Sequence, residues 1–374
     1  MIHRRKCRQI KLGGVAIGGG APISIQSMVK HDTKDVAQCV RQIRRLERAG
    51  CEIIRAAVKD LRSCAALKEI KKKISIPLEA DIHFNFSLAL AAIESGVDGI
   101  RLNPGNIYRR DEVKAVVEAA KKHKLPIRIG VNSGSLKAGY RGQGTGYRVN
   151  HRGNTGEIAC VMVKSAMDYI KLLESLGFRD IMLSLKASDV RTTVDAYRMI
   201  AKLCDYPLHL GITATGLSKE GAVKSSIGIG ALLLDGIGDT IRVSLAGDGL
   251  TEVEVAKDIL KSLGLRTFGP EVIACPTCGR CDIDVVNTAR RLKMEIRKLS
   301  PPKADQPLAE TRPLKVAVMG CEVNGPGEAK DADIGIAGGR GCGILFKHGR
   351  VVRKLKEKDF ISAVLNELRR NPKP

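Results

Sequence analysis

The sequence predicts a (β/α)₈ TIM barrel followed by a smaller α+β domain, and three observations support this prediction. Short β-like runs alternate with segments of helical periodicity along most of the chain, as they do in parallel βα units. Eight such units occupy about 240 residues, a length typical of a closed barrel. After Phe268 the alternation stops and two thiol-rich segments follow. We therefore expect a barrel over residues 1–267 and a second domain over 268–374.

The predicted strands of the barrel are short and mostly apolar. They lie at 23–28, 52–58, 76–84, 99–104, 126–132, 180–187, 207–214 and 240–246. The helices are predicted from apolar residues at helical spacing, and they lie at 34–49, 60–72, 86–96, 111–124, 155–176, 189–204, 218–235 and 251–263. Gly50, Gly96 and Gly177 stand where helices should end, and Asp189 is expected to cap the start of another helix. The glycine-rich segment 134–156 predicts a long loop after the fifth strand.

The second domain has a different order of helices and strands. Its predicted elements are a helix over 283–299, strands over 314–319 and 332–336, a glycine-rich turn over 338–343, a hairpin strand, and a last helix over 357–369. A domain of about 100 residues with this mixture is typical of an α+β fold.

The formal net charge of +23 raises the question of nucleic acid binding. The basic residues are spread along the whole chain and alternate with acidic ones, and aromatic residues make up 3% of the sequence with no Trp. A surface for stacking bases is therefore poorly supplied. We expect no nucleic acid partner, and we assign most of these charges to solvated helix faces.

The chain contains 11 cysteines, an odd number, and several of them stand singly inside apolar or helical segments. Scattered thiols of this kind are typical of a reducing compartment. The charged N-terminus is not followed by an apolar segment of the kind found in signal peptides, and no apolar run is long enough to span a membrane. We expect a cytoplasmic protein without a membrane partner.

Five of the eight predicted strands carry one cation inside an apolar run. These cations are Arg55, Arg101, Arg128, Lys186 and Arg242. A buried charge without a partner is very costly, so each of them needs an acid or a ligand. The C-terminal ends of barrel strands converge on one mouth, where five cations would bind a strongly anionic ligand such as a diphosphate. The alternative is that they form salt bridges to Glu79, Asp81 or Glu52, or lie on outward faces. Neutral polar residues close to the cations in sequence would add hydrogen bonds at the same level, namely Asn103, Asn132, Ser184 and Ser244.

Asp81 and His83 stand at the end of the third predicted strand, and the period of two places both side chains on one face. Such a pair is either an acid/base couple or an orienting hydrogen bond. We take Asp81 and His83 as the candidate catalytic pair.

Two segments near the C-terminus carry clustered thiols next to Pro and Gly. The first contains Cys275, Cys278 and Cys281, and the second contains Cys321 and ends at Glu328. Turns of this kind let several sulfurs converge on a metal or on an iron–sulfur cluster. The spacing alone leaves a structural zinc site equally open.

Several stretches together resemble the hydroxymethylbutenyl diphosphate synthases of the methylerythritol phosphate route to isoprenoids, in their bacterial two-domain form. The resemblance covers residues from about 10 to 365, and its motifs include Ala80-Asp-Ile-His83, Ile100-Arg-Leu-Asn-Pro-Gly-Asn106, Ser184-Leu-Lys-Ala-Ser188 and Gly320-Cys-Glu-Val-Asn-Gly-Pro-Gly-Glu328. It implies the two-electron reductive ring opening and dehydration of a cyclic diphosphate of methylerythritol, with flavodoxin or ferredoxin as the electron donor.

The resemblance also implies roles for individual residues. A [4Fe–4S] cluster would be held by Cys275, Cys278, Cys321 and Glu328, which leaves Cys281 and Cys342 as thiols that bind no iron. The family's diphosphate-binding cations map onto Arg55, Arg101, Arg128 and Lys186, and Asn132 matches a position that contacts the substrate. Arg242, Asn103 and Ser244 are added from the strand argument alone.

The sequence departs from the family at one place that matters for proton transfer. Where the family usually has a glutamate after the seventh strand, this chain has Ala214, which cannot transfer protons. Asp81, His83 or Glu220 would have to serve instead. The departure keeps open a redox-inactive barrel that binds a diphosphate or a pterin. The basic composition and the thiol spacing keep open a zinc-stabilised protein that binds nucleic acid.

The order of elements also predicts an assembly. A helix that follows the last barrel strand ends at the N-terminal face of the barrel, opposite the mouth. The short link 267–272 is therefore expected to leave the thiols far from the mouth of their own barrel. We expect a head-to-tail homodimer in which the thiol domain of one subunit covers the barrel of the other.

Overall fold

The alternating pattern in the first part of the chain forms a barrel of parallel strands. The computed structural model describes residues 2–136, 155–299, 314–321, 327 and 329–370. The chain divides into a unit of Met1–Arg266 and a unit of Thr267–Pro374. The strands of the first unit are β1 Gln9–Leu12, β2 Val15–Gly18, β3 Ser24–Met28, β4 Ile53–Val58, β5 Leu78–Ile82, β6 Gly99–Leu102, β7 Ile127–Asn132, β8 Ile181–Lys186, β9 His209–Leu210 and β10 Thr240–Ile241.

The barrel sheet has eight strands in the order β8-β7-β6-β5-β4-β3-β10-β9. Neighbouring strands are parallel, and a bridge between Leu183 and Leu208 joins β8 to β9. The predicted TIM barrel is therefore confirmed. β9 and β10 are shorter than the predicted runs 207–214 and 240–246. For β9 the reason is a turn that follows the strand. Ala214 has a φ of +50°, a left-handed conformation that a strand cannot contain.

Helices follow the barrel strands, as the periodicity predicted. Their bounds are α1 Val36–Arg48, α2 Leu61–Lys71, α3 Phe86–Glu94, α4 Arg110–His123, α5 Thr155–Ser175, α6 Val190–Leu203, α7 Ser218–Leu234 and α8 Gly249–Ser262. The side chain of Asp189 accepts a hydrogen bond from the backbone N–H of Thr192, so the predicted N-cap is confirmed. Gly50, Gly96 and Gly177 all have positive φ just after helices, as predicted. The loop predicted over 134–156 lies mostly outside the described residues.

A hairpin of β1 and β2 closes the N-terminal end of the barrel, and the sequence did not predict it. The two strands pair antiparallel around Gly13. Leu12 and Ile17 pack in one fully buried cluster with Ile53 of β4 and Met182 of β8. Because this end is filled with apolar side chains, a ligand can enter the barrel only from the C-terminal mouth.

The second unit is a mixed sheet with helices on one face. Its described elements are β11 Glu271–Ala274, α9 Val285–Leu299, β12 Lys315–Met319, β13 Ile334–Gly339, β14 Cys342–Lys347, β15 Arg350–Lys356 and α10 Phe360–Arg370. The sheet has the order β11-β12-β13-β14-β15, in which the first three strands are parallel and the last two antiparallel. Leu292 of α9 and Phe360 of α10 pack in the core against this sheet. The predicted α+β fold is confirmed.

Two details of the second unit differ from the sequence prediction. β11 was not predicted, since its four residues directly precede the first thiol segment and are only partly buried. The glycine-rich turn predicted over 338–343 is narrower, because Gly339 and Cys342 already pair across the hairpin. The Pro-rich stretch 300–313 lies outside the described residues. None of the helices described in either unit combines the length and the apolar character needed to cross a membrane.

Candidate active site

The register of the barrel strands places the predicted polar residues on one face of the sheet. Partners in a parallel register point to the same side, and the pairs Arg55↔Glu79, Asp81↔Arg101, Arg101↔Arg128 and Asn132↔Lys186 follow each other around the barrel. Thr240, two residues before Arg242, pairs with both His209 and Ser24. This face points inward, because Gln26 of β3 bonds across the barrel to Glu79 of β5 and Arg128 of β7.

Asp81 is the partner of two of the predicted cations. Its side chain is 3.2 Å from Nη1 of Arg101 and 3.6 Å from Nε of Arg55. Burial alone would raise the pKa of Asp81, but these two guanidinium groups outweigh it and hold the pKa well below its usual range. Asp81 is therefore a carboxylate at neutral pH, which suits an orienting anion better than a general acid.

Arg128 has a partner of its own. It is 1% exposed, forms an ion pair with the equally buried Glu79, and donates a 2.9 Å hydrogen bond to Gln26 Oε1. Gln26 in turn donates to Glu79 at 3.0 Å. One Glu79 oxygen and the Nε of Arg128 remain buried without a hydrogen-bond partner among the described residues. Buried polar atoms of this kind usually find a partner in water or a ligand.

Lys186 and Arg242 are different, because no carboxylate of the described residues comes within the 4.0 Å of a salt bridge to either of them. Lys186 is 6% exposed, and its Nζ lies 3.1 Å from Nε2 of His209, which is completely buried. Arg242 is half-buried, and its Nε has no hydrogen-bond partner among the residues that the structure describes. Burial, and then the surrounding arginines, lower the pKa of Lys186 well below its usual value. The salt-bridge alternative therefore holds for Arg55, Arg101 and Arg128, but not for these two cations.

Two glycines make room for the cations. A Cβ on Gly130 would lie 2.0 Å from Nε of Arg101, and a Cβ on Gly211 would lie 2.8 Å from Nζ of Lys186. At Gly130 any other residue would displace the guanidinium of Arg101. At Gly211 a Cβ would also lie 2.6 Å from the backbone oxygen of Arg242, so this glycine is explained by the close approach of both a backbone and a cation.

The neutral residues predicted for this face have different surroundings. The amide of Asn103 is engaged within the structure, since it donates to Ser135 Oγ at 2.9 Å and accepts from the backbone N–H of Gly105 at 3.0 Å. Asn132 and Ser244 are half-buried at the mouth. Asn103 therefore shapes the loop after β6, whereas Asn132 and Ser244 lie where they could contact a ligand.

The candidate pair Asp81 and His83 is not hydrogen-bonded. The closest approach is 3.9 Å, from His83 Nε2 to the Asp81 carboxylate, and the His83 side chain is 46% exposed. Ala214 is exposed in its left-handed turn after β9, and Glu220 is exposed on the first turn of α7. His83 is thus the titratable member of the predicted pair that is open to solvent at the mouth.

In the second unit, the two thiol segments follow neighbouring parallel strands. Cys275 comes directly after β11 and Cys321 two residues after β12, so both leave the same edge of the sheet. The backbone N–H of Gly320 donates to Cys275 Sγ at 3.2 Å. Glu328 lies outside the described residues. Among the described ones, no three His, Cys, Asp or Glu side chains are already arranged as a metal site.

The thiols of the first segment have different chemical surroundings. A hydrogen bond from the backbone N–H of Arg280 lowers the pKa of Cys278, which favours the thiolate that binds metals. Cys281 instead donates its S–H to the carbonyl of Ile283 at 3.2 Å and packs against the core. Thr277, between Cys275 and Cys278, has a left-handed φ of +52°, a strained conformation that is common at functional sites. This donor set fits an iron–sulfur cluster bound by Cys275 and Cys278 and not by Cys281.

The sequence prediction missed two residues that shape the barrel site, His209 and Lys30. His209, the partner of Lys186, stands between two leucines and was read as part of an apolar strand. Lys30 is 2.9 Å from the buried Glu252 and donates to the carbonyls of Leu245 and Gly247. The signal for His209 was its strand parity, since it lies two residues before Gly211 on the inward face.

Comparison with known proteins identifies both units. Residues 7–257 match the family described as the GcpE TIM-barrel domain, and residues 271–370 match the GcpE protein C-terminal domain. The chain is 51% identical over 370 residues to the 4-hydroxy-3-methylbut-2-en-1-yl diphosphate synthase (flavodoxin) of Thermodesulfovibrio yellowstonii, covering 99% of this chain and 100% of that protein. It is 50% identical over 368 residues to the enzyme of the same name from Geobacillus kaustophilus, covering 98% and 93%. Among solved structures, dihydropteroate synthase of Yersinia pestis is similar at a TM-score of 0.49 and 12% identity, over 69% of this chain and 100% of that chain.

Proposed function

The chain belongs to the GcpE family of 4-hydroxy-3-methylbut-2-en-1-yl diphosphate synthases, and from this premise we propose how its residues carry out the reaction. The enzyme is an oxidoreductase of class EC 1.17.7 in isoprenoid biosynthesis. The substrate is 2-C-methyl-D-erythritol 2,4-cyclodiphosphate. Two electrons and two protons open its ring, and the products are 4-hydroxy-3-methylbut-2-enyl diphosphate and water. The nucleic-acid-binding protein and the redox-inactive barrel lose their support as alternatives.

The inward-facing cations form the binding site of the diphosphate, which is called the diphosphate seat below. The observation that carries this assignment is that the buried Lys186 and the half-buried Arg242 have no carboxylate within 4.0 Å among the described residues. A cation kept out of water without an acid costs stability, and an anionic ligand offsets that cost. Arg55, Arg101 and Arg128 complete the seat, and the half-buried Asn132 and Ser244 contribute neutral hydrogen bonds.

A pair of substitutions tests this seat. Arg242→Gln should weaken binding of the cyclic diphosphate by about one to two decades, as expected for one charge-assisted contact, without lowering the melting temperature. Arg128→Ala should weaken binding similarly and also destabilise the barrel, because Glu79 loses its cation. Binding by the oxidised protein is measured by calorimetry and unfolding by a thermal melt. Unchanged affinity in Arg242→Gln would show that this cation does not contact the substrate.

We assign a [4Fe–4S] cluster to Cys275, Cys278, Cys321 and Glu328. Family membership and the thiol chemistry at the edge of β11 and β12 support this assignment. When bound, such a cluster supplies the electrons one at a time next to the substrate. A carboxylate is a harder and weaker ligand than a thiolate, so Glu328 would leave its iron the most open to exchange. Anaerobic reconstitution followed by turnover of the cyclic diphosphate with a chemical reductant tests the function as a whole, and a colourless, zinc-containing protein would contradict it.

The electron donor is proposed to be flavodoxin, because that word is part of the names of both relatives described above. Ferredoxin is the other donor that the sequence left open, and turnover with each purified protein distinguishes them. The cysteines that stand singly along the sequence support a cytoplasmic location, where thiols stay reduced.

For proton transfer we propose His83, whose Nε2 lies 3.9 Å from the carboxylate of Asp81. The exposed imidazole can exchange protons with solvent, whereas the carboxylate of Asp81 is held in its ionised form. His83→Gln should then lower kcat and flatten its pH dependence while leaving the affinity for the substrate nearly unchanged. A wild-type pH profile in this variant would exclude the role.

We also propose the head-to-tail homodimer. Arg266, the last residue of the first unit, bonds to the carbonyl of Ile23 at 2.9 Å and to Glu52 at 2.6 Å. Since both lie at the starts of β3 and β4, the chain leaves the barrel at the face opposite the mouth. Large apolar side chains are exposed in the segments that follow the barrel strands at the mouth, which suits a covering partner; they are Leu61, Phe84, Tyr108 and Leu217.

Mixing two inactive variants tests this assembly. Cys321→Ser removes a cluster ligand, and Arg128→Ala removes a substrate contact. In a mixed dimer one site would combine an intact cluster with an intact barrel, so subunit exchange should restore part of the activity. No recovery despite proven exchange would place each cluster over its own barrel.

A further inference from the structure

His209 and Lys186 form a buried pair on the inward face of the barrel. His209 lies on β9, is 0% exposed, and has its Nε2 3.1 Å from Nζ of Lys186 on β8. The backbone of His209 is held in place from outside the barrel, because Tyr197 of α6 donates its hydroxyl to the His209 carbonyl and accepts from the N–H of Leu185. The imidazole is therefore fixed against the lysine.

The hydrogen bonds of the pair define its protonation. The ammonium form of lysine has only donors, so Nε2 of His209 accepts the hydrogen bond from it and the neutral ring then carries its proton on Nδ1. That Nδ1 is buried without a hydrogen-bond partner among the described residues. Burial, and then the charge of Lys186, lower the pKa of His209 well below its usual value. Either an amine or an ammonium at Lys186 can donate to Nε2, so a proton can be gained without any movement of the pair.

The charges around the pair are unbalanced. Cations face it from three other strands and from the end of a fourth, namely Arg55 on β4, Arg101 on β6, Arg128 on β7 and Arg242 directly after β10. The acids of this face, Glu79 and Asp81 on β5, lie next to Arg128 and to Arg55 and Arg101, and Glu252 bonds to Lys30. Without substrate, the ammonium form of Lys186 is thus repelled by its neighbours, and no acid within the described parts of the chain forms a salt bridge with it.

We propose that Lys186 takes up a proton when the anionic substrate enters the barrel, and that His209 is the positioning residue that accepts the hydrogen bond of the resulting ammonium. This inference rests on the proposed diphosphate seat. A cyclic diphosphate carries a negative charge on each phosphorus, and its arrival reverses the sign of the local potential. Substrate binding and proton binding therefore strengthen each other.

The linkage has a definite direction with pH. The pKa of Lys186 is depressed in the empty barrel and returns toward the ordinary value of 10.5 when the anion is bound. One full proton is taken up only at pH values between the pKa of Lys186 without substrate and its pKa with substrate bound. In that pH range the affinity for the substrate falls as the pH rises. The limiting slope for one proton is a tenfold loss of affinity per pH unit.

Calorimetry on the oxidised full-length protein measures the uptake directly. The cyclic diphosphate is titrated at one alkaline pH, about 8.5, in two buffers that differ in ionisation enthalpy, and the dependence of the heat on the buffer gives the number of protons bound. Wild-type protein should take up close to one proton per site. Binding without uptake would overturn the inference and leave the diphosphate seat intact, whereas no binding at all would refute the seat itself.

Variants assign the proton to Lys186. Lys186→Arg keeps a permanent cation and should bind the substrate without uptake. Lys186→Met should also show none, and it serves if the larger arginine disturbs folding. Lys71→Arg is the matched control, since Lys71 forms a salt bridge with Asp98 and is not one of the inward-facing cations. This variant should take up the same number of protons as the wild type. Uptake that persists in Lys186→Arg would refute the assignment.

The role of His209 is tested by two replacements that cannot bind a proton. His209→Gln offers an amide oxygen to Lys186 and should retain the uptake, whereas His209→Leu removes the acceptor and should lower the affinity for the substrate at least tenfold. Loss of uptake in His209→Gln would mean that the imidazole, and not the lysine, takes the proton. Equal affinity in the two variants would show that no acceptor is needed.

Discussion

Gly130 offers the sharpest test of how the barrel holds its cations. In Gly130→Ala the new Cβ would lie 2.0 Å from Nε and 2.8 Å from Cζ and Nη2 of Arg101. An overlap of this size cannot be relaxed by small shifts in a strand that is paired on both sides. The guanidinium must leave its place and lose the 3.2 Å bond to Asp81 and the 2.8 Å bond to the Gly130 carbonyl.

The size of the effect follows from what is lost. Breaking a buried ion pair costs about 3–5 kcal/mol, and the lower end applies here because Asp81 keeps Arg55 at 3.6 Å. A loss of about 3 kcal/mol should lower the melting temperature by roughly 6–12 °C in a domain of this size. Loss of one charge-assisted contact, about 1.5–3 kcal/mol, should weaken substrate binding by one to two decades.

Binding calorimetry and thermal melts measure both effects, with Gly230→Ala as the matched control. A Cβ at Gly230 of α7 meets nothing within 4 Å, so this variant should bind as the wild type does and be slightly more stable, by up to about 1 kcal/mol. The double variant with Arg101→Ala completes the cycle. If Gly130 acts only by admitting Arg101, adding Gly130→Ala to Arg101→Ala should cost no further affinity. Additive losses would refute this explanation.

Three further predictions concern the thiols and the buried ion pairs. Cys321→Ser should lose the cluster absorbance and all activity, whereas Cys281→Ser should keep both, and the reverse result would overturn the ligand assignment. Arg128→Ala should melt at lower temperature than the wild type even without substrate, because Glu79 keeps only a neutral partner; equal melting would mean that the ion pair contributes nothing. Asp81→Asn should destabilise the protein at neutral pH by up to about 3–5 kcal/mol. The pKa of Asp81 is lowered by folding, so the stability difference between the wild type and Asp81→Asn should be fully present above pH 3.8, the usual pKa. It should disappear as the pH falls through the pKa of Asp81 in the folded protein. Thermal melts at a series of pH values measure this.

Much of this site could be predicted from the sequence. The period of two in a strand tells which side chains share a face, and the C-terminal ends of all barrel strands meet at one mouth. A single cation inside an apolar run is a strong signal, and all five such cations lie on the inward face. The sequence could not predict which acid forms an ion pair with which cation. Asp81 and Glu79 are adjacent on one strand, but which arginine each one meets depends on the register of three neighbouring strands, and no local pattern encodes that register.

His209 shows a second limit of prediction. Between two leucines it reads as part of a buried strand, where a histidine is usually a satisfied core residue. Its role depends on Lys186, which is 23 positions away in the chain. The length of β9 was likewise overestimated, because the left-handed turn at Ala214 is a tertiary feature and alanine carries no signal for it. The caps, in contrast, are local and were predicted correctly.

The distribution of acids around the barrel leads to a last prediction. Glu79 and Asp81 both lie on β5, so they neutralise cations on the neighbouring strands and on β7. In contrast, no carboxylate of the described residues forms a salt bridge with Lys186 on β8 or with Arg242, which directly follows β10. The potential is therefore most positive around β8, β9 and β10, and a diphosphate should be held mainly there. Inorganic diphosphate, which has only the anionic part of the substrate, makes this measurable: Arg242→Gln should reduce its affinity by more than Arg55→Gln, because Arg55 is already shared with Asp81. A larger loss in Arg55→Gln would place the diphosphate on the β5 side and contradict the electrostatic argument.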